Sequence, residues 1–250
     1  MKRLTYFFAR CLLLAGALLL TPQAQAKAQP ERVKDPALAH PAHGGKKQKL
    51  PVKNIPITGD QSEYFAVVMT GDGGWSRFTQ AMCNTLAAHG IPVWGLNSLK
   101  YLHKAKTPEQ LSADLARMIR MGEAATGKDK IILIGYSCGA NLVPFAYNRL
   151  DDSLKAKVQF LALLSPDGMA DFKFHLYNWV EHNSPAALSV KPEIEQLRGK
   201  PVLFIYGERE NYSWCGDLIR EQFNLKTIPG GHRFYRQKAG VTDELLHFQN

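Results

Sequence analysis

A serine between two glycines is the strongest chemical signal in the chain. Gly135-Tyr136-Ser137-Cys138-Gly139 directly follows the apolar run KIILI and precedes the helix-like stretch Ala140–Arg149. A sharp turn between a strand and a helix is the context of a nucleophile elbow, which presents its serine at the carboxyl end of a sheet. Glycines suit both flanks because such a turn brings neighbouring chain close. We therefore expect Ser137 to be a nucleophile for acyl transfer, with a purely structural turn as the alternative.

A serine nucleophile needs a base, which follows it and the acid along the chain. His232 ends the loop PGGH just after the short strand-like run Leu225–Ile228. His175 and His182 lie in an insertion, and His247 is three residues from the end of the sequence. We expect His232 to be the base, with a surface loop histidine as the alternative reading.

The acid of the triad is expected after the apolar run PVLFIY, which ends at Gly207. The acid commonly lies three residues past that glycine, and this spacing selects Glu210. Glu208 remains the alternative, although it is also a natural partner for Arg209. A glutamate can replace the usual aspartate because its task is to hold the histidine tautomer and stabilise the imidazolium.

An oxyanion hole needs two backbone N–H groups, and one should come from Cys138, the residue after the nucleophile. The second is expected from the glycine-rich loop Thr70–Trp75 (TGDGGW), at Asp72 or Gly73. The Asp72 carboxylate would repel an oxyanion, so its side chain should point away. It either caps the next helix or faces a cationic part of the substrate, and Asp72 and Trp75 are the candidate substrate-binding residues.

The elements that position these residues alternate between strand-like and helix-like blocks. A capping box at Thr107 and Gln110, with Pro108 in the first turn, predicts a helix that continues through Ile119. Short apolar runs of this kind suit strands buried on both faces of a parallel sheet. They are Tyr64–Met69, Ile91–Leu96, Lys130–Gly135, Val158–Leu164 and Pro201–Tyr206. The pattern predicts a three-layer α/β fold with a mostly parallel sheet, helices on both faces and no room for a separate cap domain.

Residues 166–200 interrupt the alternation. Phe172, Phe174 and Leu176 alternate with Lys173 and His175, which favours an added strand or hairpin. This insertion either packs along the sheet edge or forms the wall of a substrate pocket.

The net charge of +9 is concentrated near the amino terminus. Residues 1–26 carry +3 and residues 27–53 carry +5, which leaves +1 for the remaining chain. A nearly neutral folded part argues against a nucleic-acid-binding core. No metal-ligand spacing or phosphate-binding fingerprint is present, so neither a metal nor a cofactor is expected.

The first 26 residues have the charged start, short apolar run and Ala24-Gln25-Ala26 site of a secretory signal peptide. Residues 27–55 are expected to be a disordered basic arm, either a plain linker or a weak tether to an anionic membrane surface. The domain is expected to span residues 56–250, and the mature chain to be exported to the periplasm. Of its three cysteines, Cys83, Cys138 and Cys215, two could pair, but the sequence does not choose which.

Longer stretches resemble a known family, the bacterial virulence protein VirJ/AcvB domain, a periplasmic branch of the α/β-hydrolases. They are TGDGGW (70–75), LNSLKYLHKAKTPEQLSADLARMI (96–119), GYSCGANLVPFAYNRL (135–150), LLSPDGMADFKFHL (163–176), YGERE (206–210) and PGGHRF (229–234). Cys138 and Arg209 depart from the family pattern, where we would expect a bulky apolar residue and an acid. The resemblance implies hydrolysis of the aminoacyl ester of aminoacylated phosphatidylglycerol, such as the lysyl or alanyl form. It also implies a link to virulence and to secretion-system proteins as partners.

Two other functions remain open. One is a general periplasmic carboxylesterase or thioesterase. The other is a non-catalytic binding protein of a secretion apparatus that keeps a hydrolase fold, although such a protein has no need of Ser137, Glu210 and His232 together.

Overall fold

The computed structural model describes residues 49–174, 184–215, 217–234 and 237–248. All of them lie in one compact unit, Lys47–Asn250. The predicted signal peptide, most of the predicted basic arm, and His175, Leu176 and His182 lie outside the described residues.

The described part of the chain is built on a central sheet of seven strands. In chain order the strands of the molecule are β1 (Val52–Ile55), β2 (Tyr64–Met69), β3 (Val93–Leu96), β4 (Lys130–Tyr136), β5 (Val158–Leu164), β6 (Met169–Ala170), β7 (Leu188–Ser189), β8 (Val202–Gly207) and β9 (Asn224–Ile228). The sheet order is β1-β3-β2-β4-β5-β8-β9. All neighbouring pairs are parallel except β1 with β3. Strands β4, β5 and β8 therefore lie side by side with their carboxyl ends at one edge.

The helices that connect these strands are α1 (Arg77–Ala88), α2 (Ser98–Tyr101), α3 (Pro108–Thr126), α4 (Cys138–Asn148), α5 (Asp152–Lys155), α6 (Lys191–Glu195), α7 (Leu218–Gln222) and α8 (Lys238–Phe248). The predicted capping box is present: the Gln110 N–H donates to Thr107 Oγ1 at 3.2 Å, and the Thr107 N–H donates to Gln110 Oε1 at 3.1 Å. Gly127, with φ of 67°, ends α3 in the left-handed conformation. No described helix is long and apolar enough to cross a membrane.

Two hydrophobic layers cover the two faces of the sheet. On one face α3 and α4 pack through Leu111, Leu115 and Leu142 against Val67 and Leu133. On the other, α1 and α8 bury a second set of apolar side chains, which includes Phe78, Met82, Val241 and Leu245. Continuous apolar strands are buried on both faces, as the sequence predicted for a three-layer fold.

The predicted arm ends earlier than residue 55. Residues Val52–Ile55 form β1 at the edge of the sheet, and Leu50 and Ile55 are buried. Pro51 and Lys53 obscured this strand in the sequence, but an edge strand tolerates both residue types because one of its sides is unpaired. Assigning residues 50–55 to the arm was therefore wrong, and the folded domain includes them.

The insertion after β5 forms a strand pair, but not at the predicted residues. Met169–Ala170 and Leu188–Ser189 pair as β6 and β7. Phe172–Phe174 instead joins the loop before α3: the Phe174 N–H donates to the Leu102 carbonyl and the Lys106 N–H to the Phe172 carbonyl, both at 2.8 Å. The expectation of a strand at Phe172–Phe174 was wrong, because this backbone bonds to a loop rather than to a ladder. The Phe172 ring packs edge-to-face on Phe145 of α4, with the ring centres 5.2 Å apart.

Candidate active site

The turn between β4 and α4 has the backbone of a nucleophile elbow. Ser137 has φ of 53° and ψ of −120°, a conformation that a side chain disfavours. A Cβ at Gly135 would lie 2.5 Å from the Gly139 carbonyl oxygen, and one at Gly139 would lie 2.2 Å from the Met69 carbonyl oxygen. The turn therefore requires glycine on both sides of the serine.

Three side chains from three different loops meet at this turn. His232 Nε2 lies 2.8 Å from Ser137 Oγ, and His232 Nδ1 lies 2.8 Å from Glu210 Oε2. A carboxylate only accepts hydrogen bonds, so the imidazole proton belongs on Nδ1 and Nε2 is free to accept the serine proton. The structure thus brings together the three residues that the sequence singled out.

Glu210 is held at both carboxylate oxygens. Oε1 accepts the Gly207 N–H at 2.6 Å and the Ser165 hydroxyl at 2.7 Å, while Oε2 faces His232. Burial raises the pKa of Glu210, but the hydrogen bonds from His232, Ser165 and Gly207 together bring it below its ordinary value. The carboxylate is therefore charged at neutral pH.

Glu208 points elsewhere. Its side chain is exposed and lines a surface cavity of about 620 Å³ beside His232. Its backbone N–H donates to the Ile228 carbonyl at 2.9 Å, which continues the pairing of β8 with β9. Geometry therefore separates the two alternatives that the sequence left open, and Glu210 is the one beside the histidine.

An aromatic cluster packs against the loop that carries His232. The Tyr136 hydroxyl donates to the His232 carbonyl at 3.0 Å, so the residue before Ser137 holds the loop of His232. Phe234 is buried, and its ring packs 5.2 Å from that of Phe78 in α1. These contacts restrict the directions in which His232 can turn.

The cavity beside His232 is lined by the loops after β8 and β9, and its described walls include none of residues 166–200. The described residues of the insertion therefore do not line this cavity. They pack against α4, where the Phe172 ring lies 5.2 Å from that of Phe145.

The backbone donors on the other side of Ser137 come from two elements. Cys138 is the first residue of α4, so its N–H has no acceptor within the helix and lies at the positive end of the helix dipole. The turn Gly71–Gly74 closes through the Gly74 N–H to the Gly71 carbonyl at 2.9 Å. A Cβ at Gly71 would lie 3.3 Å from Ser137 Cβ, which places this turn directly against the nucleophile.

The two candidates for the second oxyanion donor differ in this turn. The Gly73 N–H donates to Asp72 Oδ1 at 2.7 Å, so it is engaged. This arrangement leaves the Asp72 N–H as the better candidate. The Asp72 carboxylate does not cap the next helix, because Ser76 is the cap of α1 and accepts the Thr79 N–H. The helix-cap alternative for Asp72 was wrong.

The environment of the Cys138 thiol, beside Ser137, disfavours its charged form. Burial raises the pKa of the Cys138 thiol, and the nearby carboxylates of Asp72, Asp167 and Asp171 raise it further. Asp167 is oriented by Asn141, one turn into α4, whose amide donates to its Oδ1 at 2.7 Å. The thiol next to Ser137 is therefore kept protonated.

Trp75, the other candidate for substrate contact, has a packing role. Its ring lies over Gly95 of β3, where a Cβ would come within 2.2 Å of it. Its Nε1–H donates to Gln80 Oε1 at 2.6 Å, and Lys53 Nζ lies 5.0 Å from the ring centre. β3 is two strands away from β4. The structure therefore does not bring Trp75 to the triad.

The three described cysteines are free. Cys83 lies in the layer under α1, whereas Cys215 and Cys138 belong to the opposite layer, so the sheet separates the first from the other two. Burial raises the pKa of Cys83 to about 12 and that of Cys215 to about 11. The described residues hold no cluster of His, Cys, Asp and Glu suited to a metal ion.

Sequence reasoning missed Ser165 and the hydroxyl of Tyr136. Ser165 follows β5, the neighbour of β4 and β8, so the strand order could have placed it near the triad. The contact itself depends on a side-chain direction that no spacing rule gives.

Comparisons with known proteins agree with this architecture. A model of the family described as bacterial virulence protein (VirJ) matches residues 63–250. No curated protein matches the chain.

Several solved structures share the fold. Est1E from Butyrivibrio proteoclasticus is 18% identical with a TM-score of 0.57, covering 80% of this chain and 93% of its own. MenH from S. aureus is 12% identical with a TM-score of 0.59, covering 80% and 99%. XC6422 from Xanthomonas campestris, described as an α/β serine hydrolase without lid, is 17% identical with a TM-score of 0.52, covering 79% and 86%. The chain has the α/β-hydrolase fold.

Proposed function

The chain belongs to the bacterial virulence protein (VirJ) family, and we propose that it is a serine hydrolase of the periplasm. Its proposed substrate is the aminoacyl ester of aminoacylated phosphatidylglycerol, in the lysyl or alanyl form. The observation that carries the proposal is the continuous hydrogen-bonded path from Ser137 through His232 to Glu210 at 2.8 Å per step. A binding protein has no use for that path.

The proposed reaction has two halves. In the first, Ser137 Oγ gives its proton to His232 Nε2 and bonds to the ester carbonyl carbon, while the N–H groups of Cys138 and Asp72 hold the oxyanion. The ester C–O bond then breaks, and the imidazolium returns the proton to the leaving glycerol oxygen. Glu210 stays charged throughout and stabilises the imidazolium.

In the second half, water replaces the lipid. It gives a proton to His232 Nε2 and attacks the carbonyl carbon of the aminoacyl-serine. The bond to Ser137 Oγ breaks, Oγ recovers its proton from the imidazolium, and the free amino acid leaves. The two halves use the same donors, so one geometry serves both.

The charges around the elbow support an aminoacyl substrate. An aminoacyl ester carries an ammonium group on the carbon next to the reacting carbonyl, within a few ångströms of the oxyanion. The carboxylates of Asp72, Asp167 and Asp171 raise the pKa of the Cys138 thiol. The same negative charges would destabilise an oxyanion at Ser137 unless a cation lies nearby. An ammonium group offsets that repulsion, whereas a neutral acyl group does not.

The experiment is a substrate comparison with purified mature protein. Vesicles of phosphatidylglycerol that contain lysyl- or alanyl-phosphatidylglycerol are assayed for released amino acid, beside a neutral short-chain ester and a thioester. We expect faster turnover of the aminoacyl lipids and none by Ser137→Ala. Hydrolysis of the neutral esters alone would replace the proposal with a general carboxylesterase or thioesterase, which the open cavity beside His232 favours as the second candidate. Hydrolysis of none of the esters would leave a non-catalytic binding protein.

A further inference from the structure

Ser165 contacts the triad from the neighbouring strand. It follows β5 directly and is buried, with 1% of its surface exposed. Its hydroxyl donates to Glu210 Oε1 at 2.7 Å, and its backbone N–H donates to the Ile205 carbonyl of β8 at 2.8 Å. Ser165 is therefore hydrogen-bonded to β8 through its backbone and to Glu210, which follows β8, through its side chain.

The backbone at Ser165 is unfavourable for a residue with a side chain. Its φ is 52°, in the left-handed region that glycine adopts without steric cost. Among the described residues, the non-glycine residues with positive φ are Ser137, Ser165 and Phe234. Ser137 is the nucleophile and Phe234 lies two residues after the base, so all three belong to the loops of the triad. A glycine would relieve the strain at 165, and the presence of serine there indicates a use for the hydroxyl.

We infer that Ser165 is a positioning residue, whose hydroxyl holds Glu210 Oε1 so that Oε2 faces His232. The inference rests on the proposed hydrolase function. Glutamate has one more rotatable bond than aspartate, so a single donor on one oxygen leaves the carboxylate free to swing. The Gly207 N–H and the Ser165 hydroxyl bind the same oxygen from two strands, β8 and β5, and together they fix its direction.

The hydroxyl also affects the charge of the acid. Its hydrogen bond is one of the causes that lower the pKa of Glu210, so its removal raises that pKa. A higher pKa of Glu210 moves the loss of activity in acid to a higher pH, because the acid must be charged.

Other titratable groups around Glu210 do not reverse this sign. The buried Tyr206 hydroxyl faces the Pro166 carbonyl, and its pKa is raised by burial, so it stays neutral. Cys215, with a pKa raised to about 11, is also neutral. Asp167 is bound to Asn141. These groups therefore leave the direction of the expected pKa change at Glu210 unaltered.

The test compares two substitutions at one position with a matched control. Ser165→Ala removes the hydroxyl and keeps a side chain, whereas Ser165→Gly removes the hydroxyl and relieves the backbone. Ser98→Ala is the control, since Ser98, the first residue of α2, is equally buried and its Oγ has no hydrogen-bond partner among the described residues. Each protein is assayed with a soluble aminoacyl ester from pH 4.5 to about 9, and its thermal unfolding is measured.

Both Ser165 variants should lose kcat/KM by about tenfold to a hundredfold, as for a hydrogen bond to a charged group. Their acid limb should move to higher pH, and the low-field proton resonance of the His232 Nδ1–H should shift or broaden. The Ser98→Ala protein should match the wild type in all three.

Wild-type activity and an unshifted pH profile in Ser165→Ala would overturn the inference. Full activity in Ser165→Gly would do so as well, since it would show that only the backbone matters. A loss that is equal at every pH, with an unchanged resonance, would indicate packing alone. Failure of the proposed function is distinct, because the wild-type protein would then hydrolyse no aminoacyl ester.

Discussion

The two sides of Ser137 are built differently. On the triad side, His232 and Glu210 are side chains, and each polar atom that the reaction uses has a partner at 2.6–2.8 Å. On the proposed oxyanion side, the candidate donors are backbone N–H groups of a helix start and a glycine turn, beside the exposed carboxylate of Asp72. One side is fixed by hydrogen bonds, and the other by close backbone approach.

This difference separates two parts of the proposed activity. The triad side controls where the proton goes, so a lost side chain there should act on every ester alike. On the oxyanion side, the effect of the Asp72 carboxylate depends on whether the substrate is cationic. A change at Asp72 should therefore act mainly on the preference for cationic over neutral esters. The two sides can be disturbed separately.

The largest loss of activity on either side is expected from substitution of the proposed triad acid. Glu210→Gln should lower kcat by about 10³- to 10⁴-fold with every ester, because the imidazole can then present the wrong nitrogen to Ser137. Glu208→Gln should stay within about twofold of the wild type, since its side chain is exposed and takes part in none of the described hydrogen bonds of Ser137, His232 and Glu210. Steady-state rates of both variants test this. The opposite order would give the role of the acid to Glu208.

A smaller and selective effect is expected from Asp72→Asn. The ratio of kcat/KM for an alanyl ester to that for its N-acetylated form should fall about tenfold, or about 1.4 kcal/mol. The acetylated ester has no ammonium group for the carboxylate to attract, so its own rate should stay equal or rise as repulsion of the oxyanion is removed. An equal loss for both esters would assign Asp72 to the donor geometry rather than to charge.

The smallest effect on catalysis is expected from removal of the predicted basic arm. A chain that starts at Lys47 keeps Leu50 and β1, so its turnover of a soluble ester should be unchanged. Its binding to phosphatidylglycerol vesicles should be weaker at low salt, because exposed lysines attract anionic lipid within about 8 Å at physiological salt. Co-sedimentation with vesicles at two salt concentrations measures this.

A matched chain that starts at Pro56 removes β1 and the buried side chains of Leu50 and Ile55. Its melting temperature should fall, whereas the chain that starts at Lys47 should melt like the mature protein. Equal vesicle binding by the Lys47 chain and the mature protein at low salt would reduce the arm to a linker.

The elements that the sequence predicted well are those with local signals. The capping box at Thr107 and the apolar runs of β2 and β5 depend on residues within a few positions of each other, and the structure has them at the predicted bounds. The elbow was also predictable, because a strand, two glycines and a helix start are contiguous.

The features that the sequence did not predict depend on distant partners. β1 exists because Val52–Ile55 pairs with β3, some 40 residues later, and its own residues read as a polar tail. The Asp72 side chain turned to its neighbour's N–H rather than to the helix that Ser76 already caps. Ser165 depends on β5 and β8 being neighbours, which no spacing within either strand reveals.

The central claim is that Ser137 is an activated nucleophile. The most direct measurement is labelling by a fluorophosphonate probe, followed by intact mass and peptide mapping of the purified protein. We predict one label per chain on Ser137, slow labelling in His232→Ala and none in Ser137→Ala. A label on another residue, or ester hydrolysis by a Ser137→Ala protein that takes up no probe, would contradict the account.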